Sequence, residues 1–239
     1  AMMSETGRLQ GVADEGGFWP AFDSNEAALD ALVGAIERAG FSPGDEVAIS
    51  LDIAASEFHR DGAYRLALEG RVLDSDAMSA MLIDWLDRYP IVSIEDPLAE
   101  HDAAGLTRFT KAVGHRVQIV GDDFLVTDAA RLRAAAALPA CNAILVKPNQ
   151  VGTVSEAMAA VEAARAAHWG AIVSARSGET EDVTIVHLAV GWGVLQLKVG
   201  SFARSERMAK WNEAIRIEEA LAGRARFAGA EPWRGSAAR

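Results

Sequence analysis

The sequence predicts an α/β fold in which parallel strands alternate with helices. Short apolar runs begin near Val117, Ala143, Ala171 and Val194, at intervals of 26, 28 and 23 residues, which are the lengths of βα units. The run from Ala143 to Val146 is apolar at every position, as expected of a strand that is covered on both faces. Strands at this spacing are parallel and are joined by right-handed crossovers.

The amino-terminal part of the chain is less regular. Residues 1–22 are rich in glycine and acidic residues and have no helical or strand period, so they predict a loop. Asp23 and Glu26 then have the spacing of a helix cap, and Gly40 has the position of a helix stop. A strand follows from 47 to 51, and the turn-rich segment 57–73 predicts a small hairpin.

The rest of the chain predicts a regular series of elements. A helix around Met78 and Trp85 precedes a strand at 91–94, and further helices are predicted at 103–112, 128–137, 154–167, 181–190 and 205–222. Six strands fit either an open doubly wound sheet or a barrel with six of its eight strands in this chain. The absence of a glycine-rich phosphate motif after the first strand weakens the dinucleotide-binding version of the open sheet.

Length and composition indicate one large domain over residues 1–239, with a frayed tail at 230–239. The single cysteine, Cys141, excludes an intramolecular disulfide and fits a reducing compartment, so we expect a cytoplasmic protein. No apolar run approaches the roughly 20 residues that span a bilayer. The net charge of -11 disfavours nucleic acid and anionic membranes as partners.

Ionisable or polar residues close successive predicted strands, and the carboxyl ends of parallel strands meet on one rim. In chain order these residues are Asp52, Glu95, Asp122, Lys147, Ser174 with Arg176, and Lys198. Three uncompensated carboxylates repel one another, which favours a hard divalent cation such as Mg²⁺. Proximity and desolvation of the two lysines would lower the pKa of a lysine toward the range of a base. A lone lysine at a strand end is more often structural, but capping does not explain three carboxylates followed by two lysines.

Seven ordered motifs in the chain resemble those of enolase, and the resemblance extends from residue 12 to about residue 230. They are Asp14-Glu15-Gly16-Gly17-Phe18, Leu51-Asp52-Ile53-Ala54-Ala55-Ser56-Glu57-Phe58, Tyr89-Pro90-Ile91-Val92-Ser93-Ile94-Glu95-Asp96-Pro97, Gly121-Asp122-Asp123, Lys147 with Asn149-Gln150 and Gly152-Thr153, Ser177-Gly178-Glu179-Thr180-Glu181-Asp182, and Ala203-Arg204-Ser205-Glu206-Arg207. The resemblance implies an enolase-type TIM barrel with about six of its eight βα units in this chain.

The resemblance also implies a set of site residues. Asp52, Glu95 and Asp122 would bind Mg²⁺, Lys147 would remove the proton α to the substrate carboxylate, and Lys198 would help to stabilise the resulting enolate.

Three more residues complete the implied site. Glu15 would assist departure of the hydroxyl, and Arg176 and Ser177 would hold the phosphate.

Several positions depart from the family pattern. Relative to enolases, the chain is expected to lack the small amino-terminal domain and the first two barrel strands, together with a glutamate that pairs with the equivalent of Glu15 and a lid loop. Ala175 stands where the family has a histidine that contacts substrate. Ala13 and Val199 replace a glycine and a threonine, and Pro148 follows the expected base.

The sequence leaves more than one function open. The first hypothesis is a magnesium-dependent lyase of enolase type, converting 2-phosphoglycerate to phosphoenolpyruvate in glycolysis, with a complementary amino-terminal chain or on a related phospho- or phosphono-carboxylate. Ala175 slightly favours a specialised enzyme of phosphonate metabolism, such as a carboxyphosphonoenolpyruvate synthase. The alternative class is a non-catalytic half-barrel subunit or binding module. In either case, open sheet edges predict a homo-oligomer or a complementary chain.

Overall fold

The computed structural model describes residues 2–234, which contain eleven strands and ten α-helices. The strands are β1 Leu9–Val12, β2 Phe18–Pro20, β3 Ile49–Asp52, β4 His59–Arg60, β5 Ala63–Leu66, β6 Arg71–Leu73, β7 Ile91–Glu95, β8 Gln118–Gly121, β9 Ala143–Val146, β10 Gly170–Ser174 and β11 Leu197–Lys198. The helices are α1 Met2–Glu5, α2 Asn25–Arg38, α3 Ser75–Arg88, α4 Ala103–Val113, α5 Ala129–Ala137, α6 Pro148–Val151, α7 Val154–Ala166, α8 Thr184–Gly191, α9 Ser205–Leu221 and α10 Glu231–Arg234.

Six of the strands form one parallel sheet in the order β3-β7-β8-β9-β10-β11. The spatial order follows the chain order without a reversal, whereas a doubly wound sheet reverses its order at a switch point. The prediction of a partial barrel is therefore confirmed, and the open doubly wound alternative is excluded.

Polar side chains connect β7 and β8 to the residue that precedes β11. Ser93 Oγ donates to Gln118 Oε1 at 3.1 Å, and Gln118 Nε2 donates to Gln196 Oε1 at 2.7 Å. Gln196 Nε2 donates back to Gln118 Oε1 at 3.0 Å. Because the two amides satisfy each other, this polar contact is accommodated in the barrel interior.

Helices cover the convex face and supply most of the core. Leu82 on α3 and Phe109 on α4 pack with Ile94 and Ile119 of β7 and β8. A second cluster joins α5, α7 and β9, where α7 presents mainly alanines to the sheet. Within residues 2–234 no helix has the length and apolar character needed to cross a membrane.

Side-chain caps begin two of the helices. Thr153 caps α7, because its Oγ1 accepts a hydrogen bond from Glu156 N at 3.1 Å. At α2 the cap is Ser24, whose Oγ accepts from Ala27 N at 3.1 Å, and the assignment to Asp23 is wrong. The Asp23 carboxylate instead lies 3.2 Å from the guanidinium of Arg8.

The predicted loop at residues 1–22 is only partly correct. Helix α1 and an antiparallel hairpin of β1 and β2 occupy about half of this segment, and residues 6–8, 13–17 and 21–22 are irregular. The two strands are three and four residues long and largely exposed, so their side chains carry no clear apolar period. The hairpin predicted at 57–73 is present and has a third strand, β4-β5-β6. In the predicted tail, residues 231–234 form α10, and residues 235–239 lie outside the described part of the chain.

Candidate active site

The predicted site residues lie where the parallel strands end. Asp52, Glu95 and Lys198 are the last residues of β3, β7 and β11, while Asp122 and Lys147 directly follow β8 and β9. Because all six strands are parallel, these side chains share one rim of the sheet.

Lys198 connects the two edge strands of the sheet at this rim. Its Nζ donates to Asp52 Oδ2 at 2.8 Å and to both carboxylate oxygens of Glu95 at 2.8 Å. The side chain of Glu95 is only 6% exposed, whereas that of Asp52 is 44% exposed. One ammonium therefore neutralises part of the charge of two carboxylates that come from different strands.

Lys147 and Asp122 form a second ion pair on the same rim. Lys147 Nζ donates to Asp122 Oδ2, and both side chains are largely buried. The backbone N–H of Lys147 donates to Thr127 Oγ1 at 3.0 Å, which fixes the chain where β9 ends. Asp122 Oδ1 is buried and has no hydrogen-bond partner among residues 2–234, so it has a free lone pair that a cation could use.

Lys198 does not have the lowered pKa that was predicted from the sequence. For Lys198, burial lowers the pKa, but the charges of Glu95 and Asp52 outweigh burial and raise the pKa above its usual value. Burial and the nearby charge of Asp52 raise the pKa of Glu95 to about 8, although Lys198 opposes this shift. The prediction is wrong for Lys198 because its neighbours are carboxylates rather than a second lysine.

Asp96 is a functional candidate that the sequence analysis did not assign. Its carboxylate accepts backbone N–H hydrogen bonds from Asp122 at 2.9 Å and from Asp123 at 2.8 Å. Burial raises the pKa of Asp96 to about 7 in spite of these two bonds. The signal in the sequence was its place directly after Glu95, but its partners lie on the next strand and cannot be read from spacing.

The rim residues fit a hard divalent cation. Asp52, Glu95 and Asp122 offer carboxylate oxygens, and the charges of Asp52 and Asp122 both raise the pKa of buried Glu95, so the three groups act on one another. Among residues 2–234, however, the carboxylates that bring one oxygen each within 4.8 Å of one another are those of Asp96, Asp122 and Asp123, so Asp52, Glu95 and Asp122 are not brought together as closely. Both oxygens of Asp96 already accept backbone N–H groups, and both oxygens of Glu95 already accept the ammonium of Lys198. Oxygen-only ligands favour Mg²⁺ or Ca²⁺ over softer metals.

A cavity of about 450 Å³ opens on the concave face beside these residues. Asp52, Glu95 and Lys198 line one part of it, and Phe227 and Trp233 line another. The charged groups therefore face a space that is large enough for a small ligand.

The remaining predicted residues meet on loops beside the rim. Ser177 Oγ donates to Glu15 Oε1 at 3.1 Å, which brings together residues from opposite ends of the chain. The Arg176 backbone N–H donates to Glu179 Oε1 at 2.8 Å. Ser174, by contrast, donates its hydroxyl to the Ala175 carbonyl at 2.7 Å and is buried, so it does not present a free hydroxyl to the site.

Ala175 is 7% exposed and belongs to an apolar cluster with Val173, Ile185 and Val186. Position 175 therefore contributes a methyl group where the loop after β10 turns toward the rim. Arg176 and Ser177 supply the polar side chains of this loop next to it.

Glycines let the loop that carries Glu15 approach the loop after β11 closely. A Cβ on Gly16 would lie 2.3 Å from the Ala203 carbonyl oxygen, and a Cβ on Gly200 would lie 2.5 Å from the Glu15 carbonyl oxygen. Ser201 N donates to that same Glu15 oxygen at 2.8 Å. The backbone position of Glu15 is therefore set by direct contact with the segment that follows Lys198.

Comparisons with known proteins identify a family and a similar enzyme. A family described as "Enolase, C-terminal TIM barrel domain" matches residues 2–235 of the chain. The protein named "Enolase 1" from Desulfitobacterium hafniense (strain Y51) is 49% identical over 224 residues, which are 92% of this chain and 51% of that protein. The chain thus spans about half the length of the curated relative that it matches.

Proposed function

We propose, from the premise that this chain belongs to the enolase family, that its strand ends form the metal-binding and proton-abstracting part of a carbon–oxygen lyase site. The reaction is the conversion of 2-phosphoglycerate to phosphoenolpyruvate and water. A proton leaves the carbon next to the carboxylate, and the hydroxyl leaves the neighbouring carbon. The observation that carries the proposal is the pair of lysines held by carboxylates on one rim, Lys147 on Asp122 and Lys198 on Asp52 and Glu95.

Asp52, Glu95 and Asp122 are the proposed ligands of Mg²⁺. When bound, the cation supplies positive charge beside the carboxylate of the substrate, where negative charge grows as the α-proton leaves. The unpartnered Oδ1 of Asp122 and the raised pKa of Glu95, to about 8, support this assignment.

Lys147 is the proposed base. Its backbone is held by Thr127 and its ammonium lies against Asp122, so a substrate carbon near this point would have an amine within reach. A proton α to a carboxylate is only weakly acidic, because its removal leaves two negative charges on one group. Lys147 alone is therefore not sufficient, and positive charge must also stabilise the enolate that forms when the proton leaves.

Lys198 is the proposed source of that stabilisation. The neighbouring carboxylates raise its pKa, so it stays protonated and acts as a fixed positive charge rather than as a second base. Glu15 then protonates the departing hydroxyl, and Arg176 and Ser177 bind the phosphate. The hydrogen bond from Ser177 to Glu15 supports placing these two roles side by side.

A specialised substrate is the second candidate, and Ala175 favours it. With a buried methyl group at this position, the anion pocket relies on Arg176 and Ser177. Such a pocket also suits a phosphono-carboxylate, as in a carboxyphosphonoenolpyruvate synthase. A non-catalytic half-barrel is less favoured, because it does not explain the ion pairs on the rim.

We further propose that the protein is cytoplasmic and that it associates with another polypeptide. In the part of the sheet that the structure describes, β3 and β11 each pair with one neighbouring strand only. Such edges are suited to a second copy or to a complementary amino-terminal chain.

Deuterium exchange tests the proposal. The α-proton of 2-phosphoglycerate or of a phosphono-carboxylate is followed by NMR in heavy water with Mg²⁺, using the chain alone and with a polypeptide that supplies an enolase amino-terminal half. We expect exchange that Lys147→Met abolishes and that the exposed control Lys111→Met leaves unchanged. Exchange that persists in Lys147→Met would refute the base assignment, and no exchange with any substrate, with or without the partner, would favour the non-catalytic alternative.

A further inference from the structure

Arg207 on α9 is the largest of the fully buried side chains. Its guanidinium donates to four backbone carbonyl oxygens. Nη1 donates to Arg176 O and Val199 O, both at 2.8 Å, and Nη2 donates to Ser177 O at 2.6 Å and Asp14 O at 3.5 Å.

These carbonyls belong to the three loops that carry one side of the site. Arg176 and Ser177 are themselves in the proposed phosphate pocket, Asp14 precedes Glu15, and Val199 follows Lys198. None of the hydrogen bonds of Arg207 involves Asp52, Glu95, Asp122 or Lys147. One buried side chain thus contacts the phosphate loop, the acid loop and the residue after Lys198, and makes no hydrogen bond to the proposed metal ligands or to the proposed base.

The charge of Arg207 is costly to bury, because the nearest carboxylate oxygen, on Glu206, lies 3.8 Å from its Nε. An apolar side chain would fill a purely structural position more cheaply. The two terminal nitrogens of the planar guanidinium, whose donors are fixed relative to one another, reach all four carbonyls, while the buried Nε makes no hydrogen bond within residues 2–234. The shorter lysine side chain has a single nitrogen and cannot reach the same set of acceptors.

A second buried cation on α9 supports the same loop. Lys210 donates to Thr180 O at 2.8 Å and pairs with Glu179 at 3.0 Å, and Glu179 accepts from the Arg176 backbone N–H at 2.8 Å. The loop after β10 is therefore fixed to α9 at two successive points.

We propose that Arg207 is a positioning residue that sets the spacing between Glu15 and the phosphate pocket of Arg176 and Ser177. Removing the arginine should separate the acid from the phosphate-binding groups while the metal-binding carboxylates keep their places. The effects on catalysis and on anion binding rest on the function proposed above, whereas the effect on the two loops does not.

Hydrogen exchange of the unmodified chain gives the first test. Because one guanidinium holds both segments, we expect residues 13–17 and 176–178 to open together and to have similar protection from hydrogen exchange. Mg²⁺ alone should change this protection by no more than about twofold. Protection that differs by orders of magnitude between the two segments would overturn the proposal, without the need for any variant to fold.

Variants give the second test. Arg207→Lys and Arg207→Gln are compared with Arg216→Gln, which removes an exposed arginine that is paired with Glu213 on the same helix. We expect hydrogen exchange in the two loops to become faster in both Arg207 variants. The affinity for inorganic phosphate and for 2-phosphoglycerate should fall about tenfold or more, the loss expected when the displaced loop gives up one charge-assisted contact with the anion. Mg²⁺ affinity, measured by calorimetry, should change less than about twofold, and the control should match the parent.

The outcomes separate the inference from the proposed function. Equal losses of Mg²⁺ and phosphate affinity would show a general loss of structure and contradict the positioning role. Unchanged phosphate affinity in Arg207→Lys, with its loops still protected, would also contradict it. If the parent shows no turnover with an amino-terminal half, the proposed function fails, but hydrogen exchange of the two loops still decides whether Arg207 positions them.

Discussion

The carboxylate of Asp96 accepts the backbone N–H of Asp122 at 2.9 Å, so a carboxylate at the end of one strand orients a carboxylate at the end of the next. Asp96 has a positive φ of 40°, a conformation in which aspartate is one of the more tolerated residues. This contact connects the conformation of the segment after β7 to the direction of Asp122.

We predict that Asp96→Asn lowers Mg²⁺ affinity about tenfold to a hundredfold, the usual effect of removing a group that orients a metal ligand. An asparagine keeps one acceptor oxygen but turns an NH₂ group toward the second backbone donor. Calorimetric titration measures the loss. Asp84→Asn is the matched control, because Asp84 is an exposed carboxylate on α3 that is paired with Arg88. Equal losses in both variants would contradict the orienting role.

Metal affinity should depend on pH through Glu95. Burial raises the pKa of this carboxyl to about 8, so below that pH the metal-free protein holds a proton that a bound cation must displace. Affinity should therefore rise as the pH increases from 6 to about 8 and then level off. Calorimetry in two buffers of different ionisation enthalpy would detect the released proton. Binding that is independent of pH across this range would contradict the assignment of Glu95 as a ligand.

Thr127 should be needed to hold the proposed base. Val126 and Thr127 have positive φ values of 46° and 58°, which are strained for β-branched residues and are characteristic of functional sites. Thr127 Oγ1 compensates by accepting from Lys147 N at 3.0 Å and donating to Gln150 Oε1 at 2.8 Å. We expect Thr127→Val to lower the free energy of unfolding by about 1 to 3 kcal/mol, since it leaves a buried N–H unpaired.

Denaturant unfolding and α-proton exchange would measure this effect. Thr127→Ser, which keeps the hydroxyl, should retain most of the stability and exchange. Loss of exchange in the serine variant to the level of the valine variant would show that the methyl group matters more than the hydrogen bond.

The glycine next to Glu15 should be sensitive to a methyl group. Gly16 has a φ of 79°, and a Cβ there would lie 2.3 Å from the Ala203 carbonyl oxygen. Gly62 has nearly the same φ, 77°, but a Cβ added there would have no neighbouring atom within 4 Å. Gly62→Ala should therefore lower the free energy of unfolding only by the conformational penalty, about 1 kcal/mol. Gly16→Ala should lower it clearly more and move Glu15 away from Ser177.

Thermal unfolding and the binding of 2-phosphoglycerate are the measurements for this pair of variants. We expect only Gly16→Ala to weaken binding. Equal stability losses in the two variants would mean that the loop moves without cost, and the proposed fixing of Glu15 by its backbone would be wrong.

The strand-end residues were predictable because buried parallel strands have continuous apolar runs, and the residue that breaks each run is charged or polar. The run ending at Lys147 is an example. The environment of Lys198 was not predictable in this way, because its partners Asp52 and Glu95 are 146 and 103 residues away in sequence. Spacing placed these residues on one rim but did not determine which of them would pair.

The contacts of Arg207 could not be predicted from the sequence, for a different reason. Its motif was recognised, but its acceptors are main-chain carbonyls, which every residue has, so no side-chain pattern marks them. The hairpin of β1 and β2 was missed because each strand has at most four residues, too few to show a period.

The paired amides of Gln118 and Gln196 also have a consequence for the order of folding. They join positions that are 78 residues apart, and the intervening chain contains β9, β10 and the helices between them. Closing so long a loop is entropically costly until the intervening strands are paired. We therefore expect neighbouring strands to assemble first, from local βα units, and the sheet to acquire its full curvature in a late and slow step.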